Sequence, residues 1–149
     1  MVDIARDPAL MAFAKAGANI VLTDRRADAL TSVAEALASH GVEVMAHACD
    51  QTDPLAVAEM FAAIKDRFNG LDAAFINAGY GRNGALIDLS FDHWRKHVDV
   101  NLNGGFLMAQ GSARLMRDGG QGGAIVMNAS TAATDICDML GADWTPHSS

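Results

Sequence analysis

The apolar and polar positions of this chain alternate between two periods, and that alternation predicts the architecture. Short apolar runs at residues 19–23, 42–49, 71–76 and 124–127 read as strands. Before and between them stand stretches whose apolar residues recur every three or four positions. Pro8 opens the first, a helix to residue 16 with Asp7 as N-cap and Gly17 as its stop. The second, 27–39, carries Leu30, Val33, Ala34 and Leu37 on one face, with Gly41 just past its end. The third starts at Pro54, runs to 68 and buries a stripe of Val57, Met60, Phe61 and Ile64. A long helical region spans 91–116, interrupted by Asn101, Asn103, Gly104 and Gly105. These are poor helix formers, and they predict a kink or a packing contact. Strands alternating with helices of this length predict βαβ units and an α/β fold with a parallel sheet.

One stretch carries the most information. Residues 71–81 read L-D-A-A-F-I-N-A-G-Y-G, an apolar run over 73–76 that ends abruptly in Asn77-Ala78-Gly79. Strands buried on both faces of a parallel sheet read as such unbroken runs. Open α/β sheets take their ligands at the carboxyl ends of the strands, where small residues permit close approach. Asp24, Asp50, Asn77 and Ser130 each lie at or just past a strand end. Strand ends meet polar loops in any protein, so one such residue says little. Four of them at one rim, with the Asn-Ala-Gly, favour a site.

Composition narrows the classes. With 149 residues, 50% hydrophobic and 19% charged, one covered domain is expected. A net charge of −7 argues against nucleic acid, whose phosphates need a basic surface. Cys49 and Cys137 show no metal or redox spacing, so a reducing, cytoplasmic setting is expected. No signal peptide is visible, and Lys15, Gly17 and Asn19 break the apolar stretch 9–22 before it could span a membrane. His93 and His97 share a helical face, but without a third ligand no metal is expected, and an exposed position is. Leu102, Phe106 and Ala109 read as core or as part of a subunit interface.

Three spaced motifs then occur in order: Asn77-Ala78-Gly79, the Asp-Val-Asn-Leu run at 99–102, and Gly122-Gly123-Ala124-Ile125-Val126 followed by Ser130. Over residues 10–133 or so the chain resembles the short-chain dehydrogenase/reductase family. The resemblance implies a Rossmann-like, doubly wound parallel sheet. It also implies an NAD(P)-dependent oxidoreductase that moves hydride between a nicotinamide cofactor and a small alcohol or carbonyl compound. Asp24 would accept hydrogen bonds from both hydroxyls of the adenosine ribose and repel a 2′-phosphate, which favours NAD. Arg25 and Arg26 beside it keep NADP open. Asp50 would approach the adenine amino group, and Asn77, Ala78 and Gly79 would pass beside the cofactor. Asn101 would be the active-site asparagine, and Ser130 would donate a hydrogen bond to the substrate oxygen. The long helix commonly packs against its copy in this family, which implies a homo-oligomer.

The departures from the family pattern set further expectations. The glycine-rich turn that holds the pyrophosphate should fall within residues 1–7, which read M-V-D-I-A-R-D and contain no glycine. Asp3 and Asp7 would place negative charge there. A hydrogen bond to a charged group contributes about 1.5–3 kcal/mol, so losing two or three costs about 3–9 kcal/mol. Micromolar binding amounts to about 8 kcal/mol, so cofactor binding is expected to be weak or lost. The family's tyrosine and lysine are expected near Asp143 and His147, where neither occurs. Tyr80 is the only tyrosine, and no lysine follows Lys96. The expectation is a truncated member of the family: a partial NAD(P)-binding domain over 1–133 and an atypical tail over 134–149. The first strand, the glycine turn and the C-terminal strands would be missing, and the chain alone would give no turnover. Strands 19–23 and 71–76 would then have unpaired edges, which residues 1–5 would patch poorly. A second class stays open: a non-catalytic interaction protein that joins a full-length relative through helix 91–116.

Overall fold

The computed structural model describes residues 8–81 and 86–129 of the chain. The described residues divide into two compact units, one ending at Gly70 and the other starting at Leu71.

The first unit is built from α1 (Pro8–Lys15), β1 (Ile20–Asp24), α2 (Ala27–Ala38), β2 (Val44–Ala48) and α3 (Pro54–Phe68). The strands β1 and β2 pair in parallel, with Ile20 opposite Val44 and Asp24 opposite Ala48. Ala14, Ile20, Leu22, Leu30, Val33 and Leu37 form its buried cluster, with Leu10, Met11, Ala34, Val42 and Val44 packed against it. The helical spacing of Leu30, Val33 and Leu37 is what turns one face of α2 onto that cluster. Gly17 and Gly41 adopt φ of +84° and +79°, so both stops after helices use the left-handed conformation that glycine enters without steric cost. Asp53 caps α3 by accepting from the Leu55 amide at 2.9 Å, ahead of Pro54. The expected stripe on α3 is present in Val57, Met60 and Ile64, which are buried, while Phe61 is half-buried.

The second unit holds β3 (Ala73–Ile76), a short 3₁₀ turn (Leu86–Asp88), α4 (Phe91–His97), a π-helical segment (Val98–Gly104), α5 (Gly105–Asp118) and β4 (Ala124–Met127). Here β3 and β4 pair in parallel, Ala73 opposite Ala124 and Ile76 opposite Met127. The described strands thus form two separate two-stranded parallel sheets. Among the described residues β1 and β3 each have a ladder on one edge only; residues 1–5, the segment expected to patch that gap poorly, lie outside the described residues.

Two expectations change. The interruption of the long helix is a π segment, in which each turn takes up an extra residue; its irregularity was legible, its type was not. The apolar run of β3 is not buried on both faces, since only Ile76 is buried there. Val126 and Met127 of β4 remain 54% and 55% exposed. The reason is local: a two-stranded ribbon with α5 packed on it has too few neighbours to cover every apolar side chain. Leu102 and Phe106, at 67% and 58% exposed, are not core residues.

Candidate functional site

In the first unit the polar residues predicted at strand ends stand where β1 and β2 finish. The ladder closes with the Cys49 amide donating to the Asp24 carbonyl at 3.1 Å. Asp24 then turns the chain into α2: its Oδ1 accepts from the Arg26 amide at 2.8 Å and from Arg26 Nε at 3.2 Å. This is the i to i+2 closure that aspartate side chains favour in turns. Partial burial works to raise the Asp24 carboxyl's pKa; the Arg26 amide, the Arg26 guanidinium and the charge of Arg25 outweigh it, and the carboxyl sits below its ordinary value. Asp50 repeats the arrangement, accepting from the Thr52 amide at 2.9 Å and the Thr52 hydroxyl at 2.8 Å. Those two hydrogen bonds, with the charge of Arg25, hold its carboxyl below the usual value against a smaller effect of burial. Both carboxylates are therefore ionised at neutral pH. Between them lies Cys49, buried, whose thiol is pushed up by burial and by the charges of Asp50 and Asp53. It is a poor nucleophile.

In the second unit Asn77 follows β3 directly. Its Oδ1 accepts from Asn128 Nδ2 at 2.6 Å, and the Asn128 amide extends the ladder to the Ile76 carbonyl at 2.9 Å. The parallel register makes this pairing: Ile76 faces Met127, so the next residues on each strand carry their amides to the same end. Sequence reasoning did not single out Asn128. The signal existed, an asparagine one step past an apolar strand, but its partner is set only by register.

Asn101 stands on the π segment and reaches back to the chain after β3. Its Oδ1 accepts from the Tyr80 amide at 2.7 Å and its Nδ2 donates to the Tyr80 carbonyl at 2.9 Å. One side-chain amide thus replaces a pair of backbone partners. A Cβ added at Gly79 would meet Asn101 Oδ1 at 3.4 Å, an ordinary van der Waals contact. Asn103 is used within the helix, donating to Asp99 at 3.0 Å. Replacing Asn101 by alanine should remove both hydrogen bonds and lower stability by about 1–3 kcal/mol, at about 0.5–1.5 kcal/mol each. Urea denaturation and faster hydrogen exchange at the Tyr80 amide would check it.

Tyr80 is itself enclosed. Its hydroxyl lies 3.4 Å from His93 Nε2, its ring meets His97 edge-on with centroids 4.8 Å apart, and Lys96 Nζ lies 4.7 Å above it. His93 and His97 are accordingly half-buried rather than on a freely exposed face, because Tyr80 packs against them. Among the described residues no group of three or more His, Cys, Asp or Glu side chains is placed to hold a metal ion. Ser130, Asp143 and His147 lie outside the described residues, as do Asp3 and Asp7.

The structure thus brings Asp24 and Asp50 to the end of one parallel pair, and Asn77, Ala78, Gly79 and Asn101 to the end of the other. Parallel βα units with polar groups at their carboxyl ends are the pattern of an α/β protein of the Rossmann type. The comparisons with known proteins agree. A family model described as enoyl-(acyl carrier protein) reductase matches residues 4–142. D-threitol dehydrogenase of Mycolicibacterium smegmatis is 34% identical over 127 residues, which is 85% of this chain and 48% of that protein. D-beta-hydroxybutyrate dehydrogenase of Rhizobium meliloti is 37% identical over 112 residues, 73% of this chain and 43% of that one. A short-chain type dehydrogenase/reductase from Mycobacterium marinum superposes with a TM-score of 0.82 at 35% identity, covering 85% of this chain and 51% of that one. The chain belongs to the short-chain dehydrogenase/reductase family. It spans about half the length of the curated relatives it matches. No described helix is long and apolar enough to cross a membrane.

Proposed function

We propose that this chain is the dinucleotide-binding portion of an NAD-dependent oxidoreductase that acts on a small alcohol or carbonyl compound. Asp24 is the observation that carries the cofactor choice. Its carboxylate stands at the end of β1, half-buried and below its ordinary pKa, so it is a charged acceptor for two ribose hydroxyls and repels a 2′-phosphate. Arg26, one of the two arginines that would favour the phosphate, is engaged on that same carboxylate. Asp50 would hold the adenine amino group, and Asn77, Ala78 and Gly79 would border the cofactor. Asn101 would act by positioning the chain at Tyr80, and Ser130 would donate to the substrate oxygen. When bound, the nicotinamide supplies or accepts hydride; the residues named here bind and orient. The solved relatives support a nicotinamide cofactor of either kind: xylitol dehydrogenase is NAD⁺-bound, and the Burkholderia cenocepacia short-chain dehydrogenase is in complex with NADP.

Because residues 1–7 contain no glycine, binding by this chain is weak. A cytoplasmic setting and a homo-oligomer joined through the exposed Leu102 and Phe106 complete the reading. No observation favours the non-catalytic partner of a full-length relative over it.

Titration of the chain with NADH and NADPH, read by nicotinamide fluorescence, tests the assignment. The expected result is millimolar binding with NADH preferred, and loss of that preference in Asp24→Ser. NADPH binding more tightly than NADH to the unsubstituted chain would overturn the choice of cofactor. Micromolar binding of NADH would overturn the claim of weakness.

A further inference from the structure

We propose that Asn128 is a positioning residue: it holds the side-chain amide of Asn77 so that Nδ2 is presented as a donor to an acceptor oxygen of the bound cofactor. That role presupposes the nicotinamide dinucleotide proposed above.

The two asparagines meet because of register. Ile76 stands opposite Met127, so Asn77 and Asn128 are the first residues past the paired ends of β3 and β4. The Asn128 backbone amide already continues the ladder to the Ile76 carbonyl at 2.9 Å. The side chains are therefore not needed to close the sheet, yet Asn128 Nδ2 donates to Asn77 Oδ1 at 2.6 Å. Asn128 is exposed, and an exposed hydrogen bond between neutral groups competes with water and adds little to stability. What the bond fixes is orientation. The terminal torsion of asparagine has a broad, two-fold profile, so a lone amide presents its oxygen and its nitrogen in turn. With Oδ1 turned to Asn128, the planar amide leaves Nδ2 on its other side.

That nitrogen makes no hydrogen bond to the described residues. Asn77 is half-buried, and among the described residues no buried side-chain nitrogen or oxygen goes unpartnered, so Nδ2 reaches solvent. Exposed Ala78 and Gly79 follow it, with little side-chain bulk to screen it. A donor so placed suits the hydroxyl and phosphate oxygens that a dinucleotide carries, and it is wrong for an ammonium group. Holding the side chain before the ligand arrives removes its ordering cost from binding.

The test is a double-mutant cycle of Asn77→Ala and Asn128→Ala, read by NADH titration through nicotinamide fluorescence, with a thermal melt of each variant. Each single substitution should raise the NADH dissociation constant about two- to tenfold, as loss of one ordinary hydrogen bond does. The double variant should bind no more weakly than the Asn77→Ala variant, because Asn128 acts only through Asn77. A merely structural role would instead add the loss from Asn128→Ala to that from Asn77→Ala. Nitrogen-15 NMR supplies a readout on the unsubstituted chain. The Asn77 side-chain NH₂ signals should shift on adding NADH. In the Asn128→Ala variant they should move toward those of a free asparagine before any NADH is present. Additive losses, or an NADH affinity unmoved by Asn128→Ala in folded protein, would overturn the positioning role and leave the cofactor reading intact. Asn77 NH₂ signals that bound NADH leaves unmoved would overturn the donor. No binding of NADH to the unsubstituted chain would overturn the cofactor reading and this role together.

Discussion

Leu37→Ala is expected to lower the stability of the first unit by about 2–5 kcal/mol. Leu37 is 1% exposed and belongs to the cluster formed by Ala14, Ile20, Leu22, Leu30 and Val33. Removing its three outer carbons deletes their transfer free energy and leaves a void that α1 and β1 can close only in part. The penalty should fall wholly on folding, because Leu37 lies on α2 rather than at the strand ends. A loss of this size is a large fraction of the 5–15 kcal/mol that typical domains possess. Urea denaturation followed by circular dichroism would read it as a lower midpoint with an unchanged slope. A midpoint shift worth less than about 1 kcal/mol would mean that the cluster repacks around the loss, contrary to the tight burial seen.

Gly123→Ala is expected to cost about 1–3 kcal/mol, the usual range for overpacking. A Cβ at Gly123 would lie 2.6 Å from Met116 Sδ and 2.8 Å from the Asp72 carbonyl oxygen. The methionine could swing away, but the Asp72 carbonyl is fixed by the ladder, since it accepts from the Ala124 amide at 3.0 Å. Adding one methyl group must therefore push β4 from β3 or from α5. Gly105→Ala supplies the comparison. Its Cβ would meet only the Met127 methyl at 3.3 Å, the far end of a flexible and exposed side chain. Alanine is also preferred to glycine in a helix by about 1 kcal/mol, so that substitution should be close to neutral. Thermal melts of the two variants should thus separate, with only Gly123→Ala clearly lowered. Equal effects would sink the close-approach argument.

Much of this architecture was legible in the sequence because the two hydrophobic periods are clean. Leu30, Val33 and Leu37 predicted the buried face of α2, and the abrupt ends of the apolar runs placed Asp24, Asp50 and Asn77 at strand termini. What stayed hidden depends on partners distant in sequence. Asn128 gains its meaning only from the register between β3 and β4, and Tyr80 meets His93 across thirteen residues and a turn. The asparagines and glycines of 101–105 signalled a weakened helix without specifying the wider π turn, because poor helix formers disfavour α geometry without choosing its replacement. The burial of β3 was misjudged for a different reason. Apolar content predicts burial only when enough neighbours exist to provide it.

The π segment allows one helical rod to serve two phases at once. Each residue of an α-helix advances the side-chain direction by about 100°. The segment absorbs the offset between α4, which turns His93 and His97 to Tyr80, and α5, which buries Gly105, Ser112, Leu115 and Met116. Losing a single residue from 98–104 would restore regular geometry and yet rotate one of these faces off its target. The segment's length thus matters alongside the identity of Asn101, which holds the Tyr80 backbone.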